Sequence, residues 1–180
     1  MKTTKNLLYI ALAGFVLWII SELLEIFHGG HTPDVYYVTS VHHIFACLGI
    51  WGLHMAQARK KEMLSFGTTL LISIGYFAII YFPIQVMNSG LGVGEFITAN
   101  PFYKIPFRMI MVGYILFGIA VIKIKYYPAW TGVLMLLGAI LYSTAMALKL
   151  ETMINIDTII MSLNIIYMSY FGLAKLKSSH

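Results

Sequence analysis

Long apolar runs separated by short polar breaks dominate the pattern along this chain. Six runs approach or exceed the roughly 20 residues that a helix needs to cross a hydrocarbon core of about 30 Å. They cover residues 6–27, 39–58, 66–87, 107–124, 129–148 and 156–174. The runs are apolar on all sides, which is typical of membrane helices. The pattern predicts an all-α, polytopic integral membrane protein with six transmembrane helices in a single domain, residues 1–180.

The breaks between the runs contain the residues expected in turns. Glycine, proline or charged residues occur in all five links. The link over residues 88–106 is longer and rich in glycine, so it could re-enter the membrane or cover a site as a lid. Its glycines lack the spacing and the strand-before, helix-after context of a phosphate-binding loop.

Composition excludes several classes of protein. Of the 180 residues, 59% are hydrophobic and 11% are charged, against roughly 45–50% and about 25% in soluble domains. A soluble domain and a disordered chain are therefore excluded. The single cysteine, Cys47, rules out an intramolecular disulfide and a cysteine-based zinc cluster.

The distribution of lysine and arginine predicts the orientation. If both termini are cytoplasmic, nine of the 12 basic residues lie in inner segments and three, Lys104, Arg108 and Lys149, in outer ones. Positive charge favours the cytoplasmic side, so we expect a multi-pass cell-membrane protein with both termini in the cytoplasm. The basic residues are divided among short loops without a recognition motif, so we expect the lipid bilayer, and no nucleic acid, as a partner.

The first apolar run resembles a secretory signal, because Lys2 and Lys5 precede it. Glu22 and Glu25 occupy the place of a cleavage site, and no small-x-small motif follows the run. We therefore expect an uncleaved first transmembrane helix.

The junction of the fourth and fifth runs looks familiar. It reads Phe117-Gly118-Ile119-Ala120-Val121, then Tyr127-Pro128-Ala129-Trp130-Thr131-Gly132-Val133-Leu134, with Gly138 further on. This helix–turn–helix phrase resembles one found in small, uncharacterised bacterial multi-pass membrane proteins. The resemblance covers about a seventh of the chain. It implies a bacterial membrane origin and no particular activity.

Acidic residues and histidines gather near the predicted outer side. Glu22, Glu25 and His28 are three residues apart, so neighbouring members lie roughly 60° apart around the first helix. His42 and His43 begin the second run at a similar depth. Carboxylates inside a span cost several kcal/mol unless they are neutralised, paired or hydrated, so Glu22 and Glu25 are functional candidates.

These residues suit a metal ion. Glu25-x-x-His28 has the spacing of metal ligands in carboxylate-bridged helix bundles. We expect Glu22, Glu25, His28 and His43, with His42 as an alternative or supporting ligand, to bind a divalent Zn, Fe or Mn ion. In an enzyme, Glu22 or Glu25 would be the general base, and the substrate a lipid-like or small molecule from the outer leaflet.

Other interpretations remain open at this point. The same Glu and His residues could form a titrating relay in a small transporter or channel for protons, metal ions or solutes. Haem b in an electron-transfer or sensor subunit would use His43 or His54 as an axial ligand. His31 and His42 could also be ordinary interfacial residues, and a protein without a site, such as an assembly factor, is the simplest alternative.

Polar residues elsewhere form a second, weaker pattern. Arg108 could pair with an outer acid, or bind a lipid phosphate or an anionic substrate. Asp157 and Asn164 are seven residues apart on the last helix and share a face. With Gln85, Ser143 and Thr144 they could form a polar track through the bundle, although small polar residues more often join helices.

Overall fold

The computed structural model describes residues 2–58, 62–148 and 150–178, without the side chain of Glu151. Its regular elements within these ranges are all helical, which confirms the predicted class. They are α1 (Lys2–His28), α2 (Pro33–Gln57), α3 (Met63–Ala78), α4 (Phe82–Ser89), α5 (Val93–Ala99), a 3₁₀ turn (Pro101–Tyr103), α6 (Lys104–Ile124), α7 (Ala129–Leu148) and α8 (Glu151–Ser178).

Six long helices form a closed ring. Each helix packs against the next in the order α1, α2, α3, α6, α7 and α8, and α8 packs back against α1. Neighbours are antiparallel: Cys47 of α2 donates to the carbonyl of Ser73 in α3 (3.4 Å), and His54, two turns further along, contacts Ser65 (2.8 Å). The start of α1 and the end of α8 lie at the same end of the ring, where Leu8 packs beside Gly172.

Glycine allows the closest helix pairs to approach. A Cβ atom added at Gly52 would lie 2.6 Å from the backbone carbon of Leu7, and one at Gly49 would lie 2.5 Å from the Cα of Ala11. Gly118 of α6 and Gly132 of α7 face each other: a Cβ atom added at either would lie 2.5 or 2.6 Å from the carbonyl oxygen of the other. Small residues at helix contacts are typical of membrane bundles, because they let backbones pack against each other.

The surface of the bundle is apolar, and much of its interior is polar. Large hydrophobic side chains such as Phe27 and Phe77 are 85% and 71% exposed, while Gln57, Ser65 and Ser162 are fully buried. Extensive exposed apolar surface is unusual for a soluble monomer. The arrangement fits a membrane protein.

Five segments are long and apolar enough to cross a membrane. They are Lys2–His28, Met63–Ser89, Pro101–Ile124, Ala129–Leu148 and Thr152–Ser178. These correspond to five of the six predicted spans. The sixth, residues 39–58, forms a helix as predicted, but α2 is not in this set. The basic residues 59–61 and Lys149, which were used in predicting the orientation, lie outside the described residues.

The segment Met63–Ser89 is broken at residues 79–81, between α3 and α4. Pro83 has no N–H to donate to the carbonyl four residues earlier, and its ring clashes with that position. The carbonyl concerned is that of Ile79. It accepts hydrogen bonds from the Phe82 N–H (3.1 Å) and from His43 of α2 (3.0 Å).

The long link over residues 88–106 is mostly helical. It contains α5 and the 3₁₀ turn, which pack through aromatic rings against the start of α4. Phe82 lies 5.8 Å from Phe96, 4.9 Å from Tyr103 and 5.1 Å from Phe107, measured between ring centroids. The link is therefore anchored beside the break between α3 and α4.

Candidate functional site

The centre of the ring contains an aromatic cluster to which five helices contribute. We use "interior cluster" for Trp18 of α1, His42 of α2, Tyr76 of α3, Tyr114 of α6 and Tyr142 of α7. The Tyr76 and Tyr114 hydroxyls are hydrogen-bonded (2.9 Å), and Tyr76 packs edge-on against Trp18. This cluster connects opposite sides of the ring.

His42 is enclosed by the cluster and is 0% exposed. Its ring stacks on Trp18 at a centroid distance of 4.2 Å and meets Phe15 and Tyr76 at larger angles. Nδ1 lies 2.9 Å from the carbonyl of Gly14. Because a carbonyl only accepts, Nδ1 carries the proton and, in the neutral ring, Nε2 carries the lone pair. Nε2 is buried without a hydrogen-bond partner in the described chain.

His43 points toward a different helix. Its Nδ1 donates to the Ile79 carbonyl at the break between α3 and α4. Neighbouring side chains commonly satisfy backbone groups that a proline frees inside a membrane helix. His43 therefore has a clear structural role. The consecutive histidines His42 and His43 connect α2 to α1 and to the break after α3, respectively.

Glu22 lies beside the cluster, inside the ring. It follows Phe15 and Trp18 at helical spacing, so the same face of α1 brings all three inward. Glu22 is 9% exposed, and the Trp18 indole N–H donates to its Oε1 at 2.8 Å. Tyr142 is within electrostatic range of Glu22, Glu25 and Asp157. Two helices, α1 and α8, thus bring carboxyl groups to the same part of the interior.

The remaining predicted ligands turn toward the loop between α1 and α2. Glu25 pairs with His31 (Oε2 to Nε2, 3.3 Å). His28 Nδ1 lies 3.1 Å from the Thr32 hydroxyl, which donates to Asp34. That hydrogen bond holds the pKa of the exposed Asp34 carboxyl below its usual range. These contacts belong to the loop, away from His42 and His43.

The predicted metal set is not assembled in this geometry. Across residues 2–58, 62–148 and 150–178, no three His, Cys, Asp or Glu side chains are grouped so that they could hold a metal ion. Glu25 and His28 have separate partners in the loop. A carboxylate-bridged centre needs converging ligands from several helices. Glu25 and His28 both lie on α1, so this motif provides ligands from one helix only.

Haem b stays a prediction. His43 and His54 lie on the same helix and are both largely buried. The Nδ1 of His54 contacts the hydroxyl of Ser65, which also accepts a hydrogen bond from the Gln57 amide.

A small cavity lies next to the interior cluster. Three aromatic residues, two methionines and several residues of α8 surround it. Its walls include Trp18, Met111, Tyr114, Gly138, Ala139, Tyr142, Asp157, Thr158, Met161 and Ile165. Asp157 is 7% exposed, and its Oδ2 has no hydrogen-bond partner among the described residues; the same holds for the Thr158 hydroxyl. Two residues of α8 near the cavity therefore carry buried polar atoms with unused hydrogen-bonding capacity, while the cavity surface itself is apolar.

The other polar candidates are distributed around the bundle. Arg108 is exposed on α6 and forms no ion pair within the described part of the chain. The Asn164 amide donates to the Thr131 carbonyl (2.9 Å) and joins α8 to α7. Gln85 accepts a hydrogen bond from Tyr103. The suggested polar track is thus replaced by separate contacts.

Several residues of the site gave only a weak signal in the sequence. Aromatic residues are common in membrane helices as interfacial or packing residues, so the sequence does not single out the aromatic members of the interior cluster, Trp18, Tyr76, Tyr114 and Tyr142. One usable signal was the helical spacing of Trp18 and Glu22. Another was the position of Asp157 and Tyr142 within apolar runs, where a polar group is costly unless it has a structural or functional role.

Comparisons with known proteins found no family for this chain. No family model matches it, and neither a curated protein nor a solved structure matches it significantly. The resemblance at the α6–α7 junction stays a prediction. Function therefore has to be argued from the geometry of the interior.

Proposed function

We propose that this protein is a six-span transporter of the bacterial cytoplasmic membrane that moves protons, with or without a solute, and that Glu22 binds the proton. The observation that carries the proposal is the buried Glu22 carboxyl, which accepts a hydrogen bond from Trp18, a residue that borders the interior cavity together with Asp157. An ionisable group inside a membrane bundle is costly, and such groups commonly belong to ion pathways or proton relays.

Groups on every helix of the ring surround this region. They are Glu25 of α1, His42 of α2, Tyr76 of α3, Tyr114 of α6, Tyr142 of α7 and Asp157 of α8. A hydroxyl can both donate and accept, so the hydrogen-bonded pair Tyr76–Tyr114 could pass a proton between helices. Among the described residues, no lysine or arginine borders the cavity, so no basic side chain there holds a carboxyl permanently charged.

The interrupted span Met63–Ser89 supports the same proposal. Secondary transporters typically build their sites from helices that are broken near the membrane midplane. Here the break at residues 79–81 is in contact with His43, which is adjacent in sequence to His42 of the interior cluster. A movement of α4 relative to α3 would therefore act on α2.

We also propose α2 as the sixth span. Its 25 residues extend about 37 Å at 1.5 Å per residue. Its histidines and Gln57 are buried, whereas Tyr37, Val41, Ile44 and Leu48 are exposed on one face. The polar residues on the protein-facing side lower the mean hydropathy of α2. Its lipid-facing side stays apolar, so the helix can still cross the membrane. With six spans and the charge distribution of the loops, both termini are cytoplasmic.

Cysteine labelling distinguishes six spans from five. In a Cys47→Ser background, Pro33→Cys and Ala58→Cys place one thiol at each end of α2, and both native positions are exposed. A membrane-impermeant maleimide added to intact spheroplasts should label Pro33→Cys and leave Ala58→Cys unlabelled until the membrane is opened. Equal labelling of both variants in intact spheroplasts would contradict a crossing by α2.

Proton movement tests the proposed function. The purified protein is reconstituted into liposomes containing a pH-sensitive dye, and a potassium gradient with valinomycin sets a negative interior. We expect the wild-type protein to acidify the interior faster than empty liposomes do. Glu22→Gln should slow this at least about ten-fold, because an amide cannot take up a proton at this position.

Glu25→Gln is the matched control, since Glu25 is one turn away and pairs with His31 in the loop. It should retain most of the wild-type rate. Because a tightly coupled carrier does not leak, the measurement is repeated with methylammonium, sodium and amino-acid gradients in turn. If none of these conditions gives a rate above that of empty liposomes, or if Glu22→Gln equals wild type, the proposal is wrong.

A further inference from the structure

We propose that the outer surface between α7 and α8 binds one anionic phospholipid, with its phosphate against Lys125 and Lys175 and its acyl chains along a row of aromatic rings. We use "aromatic row" for Tyr126, Trp130, Tyr167 and Phe171. Neither Glu22 nor the interior cavity takes part in this contact, which is therefore independent of the proposed proton function.

The aromatic row joins the start of α7 to the last third of α8. The rings of Trp130 and Tyr167 are 4.8 Å apart, measured between centroids, and both residues are exposed. Tyr167 lies 6.1 Å from Phe171, which lies 6.5 Å from Tyr126 in the link before α7. Tryptophan and tyrosine are enriched where a bilayer meets water. The row therefore suits the level at which headgroups give way to acyl chains.

A lysine ammonium is fixed at one end of the row. Lys175 donates to the Tyr126 carbonyl (2.8 Å), and its Nζ lies 4.6 and 4.8 Å from the ring centroids of Tyr126 and Phe171. Aromatic faces attract such a charge and hold it in place. Lys175 is also exposed, so a phosphate oxygen can approach the ammonium from outside the bundle. Lys125, which is exposed and directly precedes Tyr126, brings a second positive charge to this part of the surface.

The surrounding end of the ring carries an excess of positive charge. Six lysines lie where α1 begins and where α6 and α8 end: Lys2, Lys5, Lys123, Lys125, Lys175 and Lys177. Among the described residues, Glu62 is the one acidic residue at this end. Clusters of about four to eight basic residues beside membrane helices typically recognise anionic lipids. Charge complementarity therefore favours an anionic phospholipid over a zwitterionic one.

The aromatic row favours a lipid over a soluble anion. Inorganic phosphate would contact the lysines and leave Trp130 and Tyr167 uncovered, whereas the acyl chains of a phospholipid would pack against both rings. These two residues lie on α7 and α8, whose length and composition suit a membrane span. A molecule with a negative headgroup and an apolar tail matches both parts of the surface.

Quenching of tryptophan fluorescence by brominated lipids tests the proposal. The purified protein is reconstituted into vesicles of phosphatidylglycerol and phosphatidylcholine, with bromine on the acyl chains of one lipid at a time. Quenching at several mole fractions gives the relative binding constant of the two lipids. We expect a preference for phosphatidylglycerol. Because bromine quenches only at short range, Trp130→Phe, which keeps a ring against Tyr167, should remove most of the difference between the lipids.

Two substitutions remove positive charge with little effect on the fold. Lys175→Gln keeps an N–H donor for the Tyr126 carbonyl, and Lys125→Gly suits the positive φ of this residue (57°). A lysine near an anionic surface contributes a factor of roughly five in affinity. The double variant should therefore lower the preference for phosphatidylglycerol about ten-fold or more. Lys104→Gln, at the opposite end of α6, removes the same charge and should behave like wild type.

Several results would overturn the proposal. Equal quenching by the two brominated lipids would do so, and a preference that survives Trp130→Phe would place the lipid elsewhere. A loss in Lys104→Gln as large as in the double variant would indicate a general attraction to negative charge. Inorganic phosphate added at constant ionic strength should leave the preference unchanged, and its loss would assign the surface to a soluble anion. If circular dichroism shows that Lys175→Gln does not fold, Lys125→Gly alone decides.

Discussion

The double substitution Gly49→Ala, Gly52→Ala is expected to separate α1 from α2 and to unfold the protein at markedly lower denaturant. At each position the new methyl would lie within 2.6 Å of α1 backbone atoms, which cannot rotate away as a side chain can. Overpacking costs about 1–3 kcal/mol at a single site. The two sites are one turn apart on the same contact, so their effects are coupled rather than additive.

The measurement is the unfolding of purified protein in mixed detergent and SDS, followed by circular dichroism. Gly67→Ala is the matched control, because Gly67 lies inside α3 and a Cβ there would meet nothing within 4 Å. It should be neutral or slightly stabilising, since alanine favours a helix over glycine by roughly 0.5–1 kcal/mol. Equal stability of the double variant and the control would refute the close contact between α1 and α2.

His42→Ala is also expected to destabilise the protein strongly. By analogy with the truncation of a buried aromatic residue, the free energy of unfolding should fall by about 3–5 kcal/mol. The ring fills the space between Phe15, Trp18 and Tyr76 and donates to the Gly14 carbonyl. Its removal leaves a cavity and an unstacked indole. Thermal unfolding in detergent should shift to lower temperature, and Trp18 emission should change in the folded state.

His28→Ala provides the comparison. The sequence predicts both histidines as metal ligands, whereas the structure places His28 in an exposed loop contact with Thr32. An exposed substitution of this kind costs within about 0.5 kcal/mol. A larger loss for His28→Ala than for His42→Ala would favour the predicted metal set over the interior cluster.

The apolar pattern predicts helix positions closely where a link contains a residue that fixes a helix boundary, such as proline. The predicted run 129–148 coincides with α7, because Pro128 precedes its start. In α2 the pattern failed at the start: the helix begins at Pro33, six residues before the predicted run. A proline in the first turn of a helix is favourable, but the positions of apolar residues do not reveal this effect. The apolar pattern also did not predict the break at residues 79–81.

The sequence predicts which residues belong to the site better than it predicts how they are arranged. Glu22, His42 and Asp157 stand out as polar groups within apolar runs, and all three lie inside the ring. Their partners were not predictable, because helical spacing shows which residues share a face but not which helix that face meets. Trp18 therefore became the partner of Glu22 and His42, while Glu25 and His28 turned to the loop.

The closed ring has a consequence for the biogenesis of the protein. The seam between α1 and α8 joins the two most distant parts of the chain, and α8 also supplies Asp157 to the cavity wall. During synthesis, Trp18 and Glu22 enter the membrane long before α8 exists. Until α8 inserts, this acidic face of α1 has to be shielded by lipid headgroups, water or the insertion machinery. The cavity is thus complete only after α8 has been made.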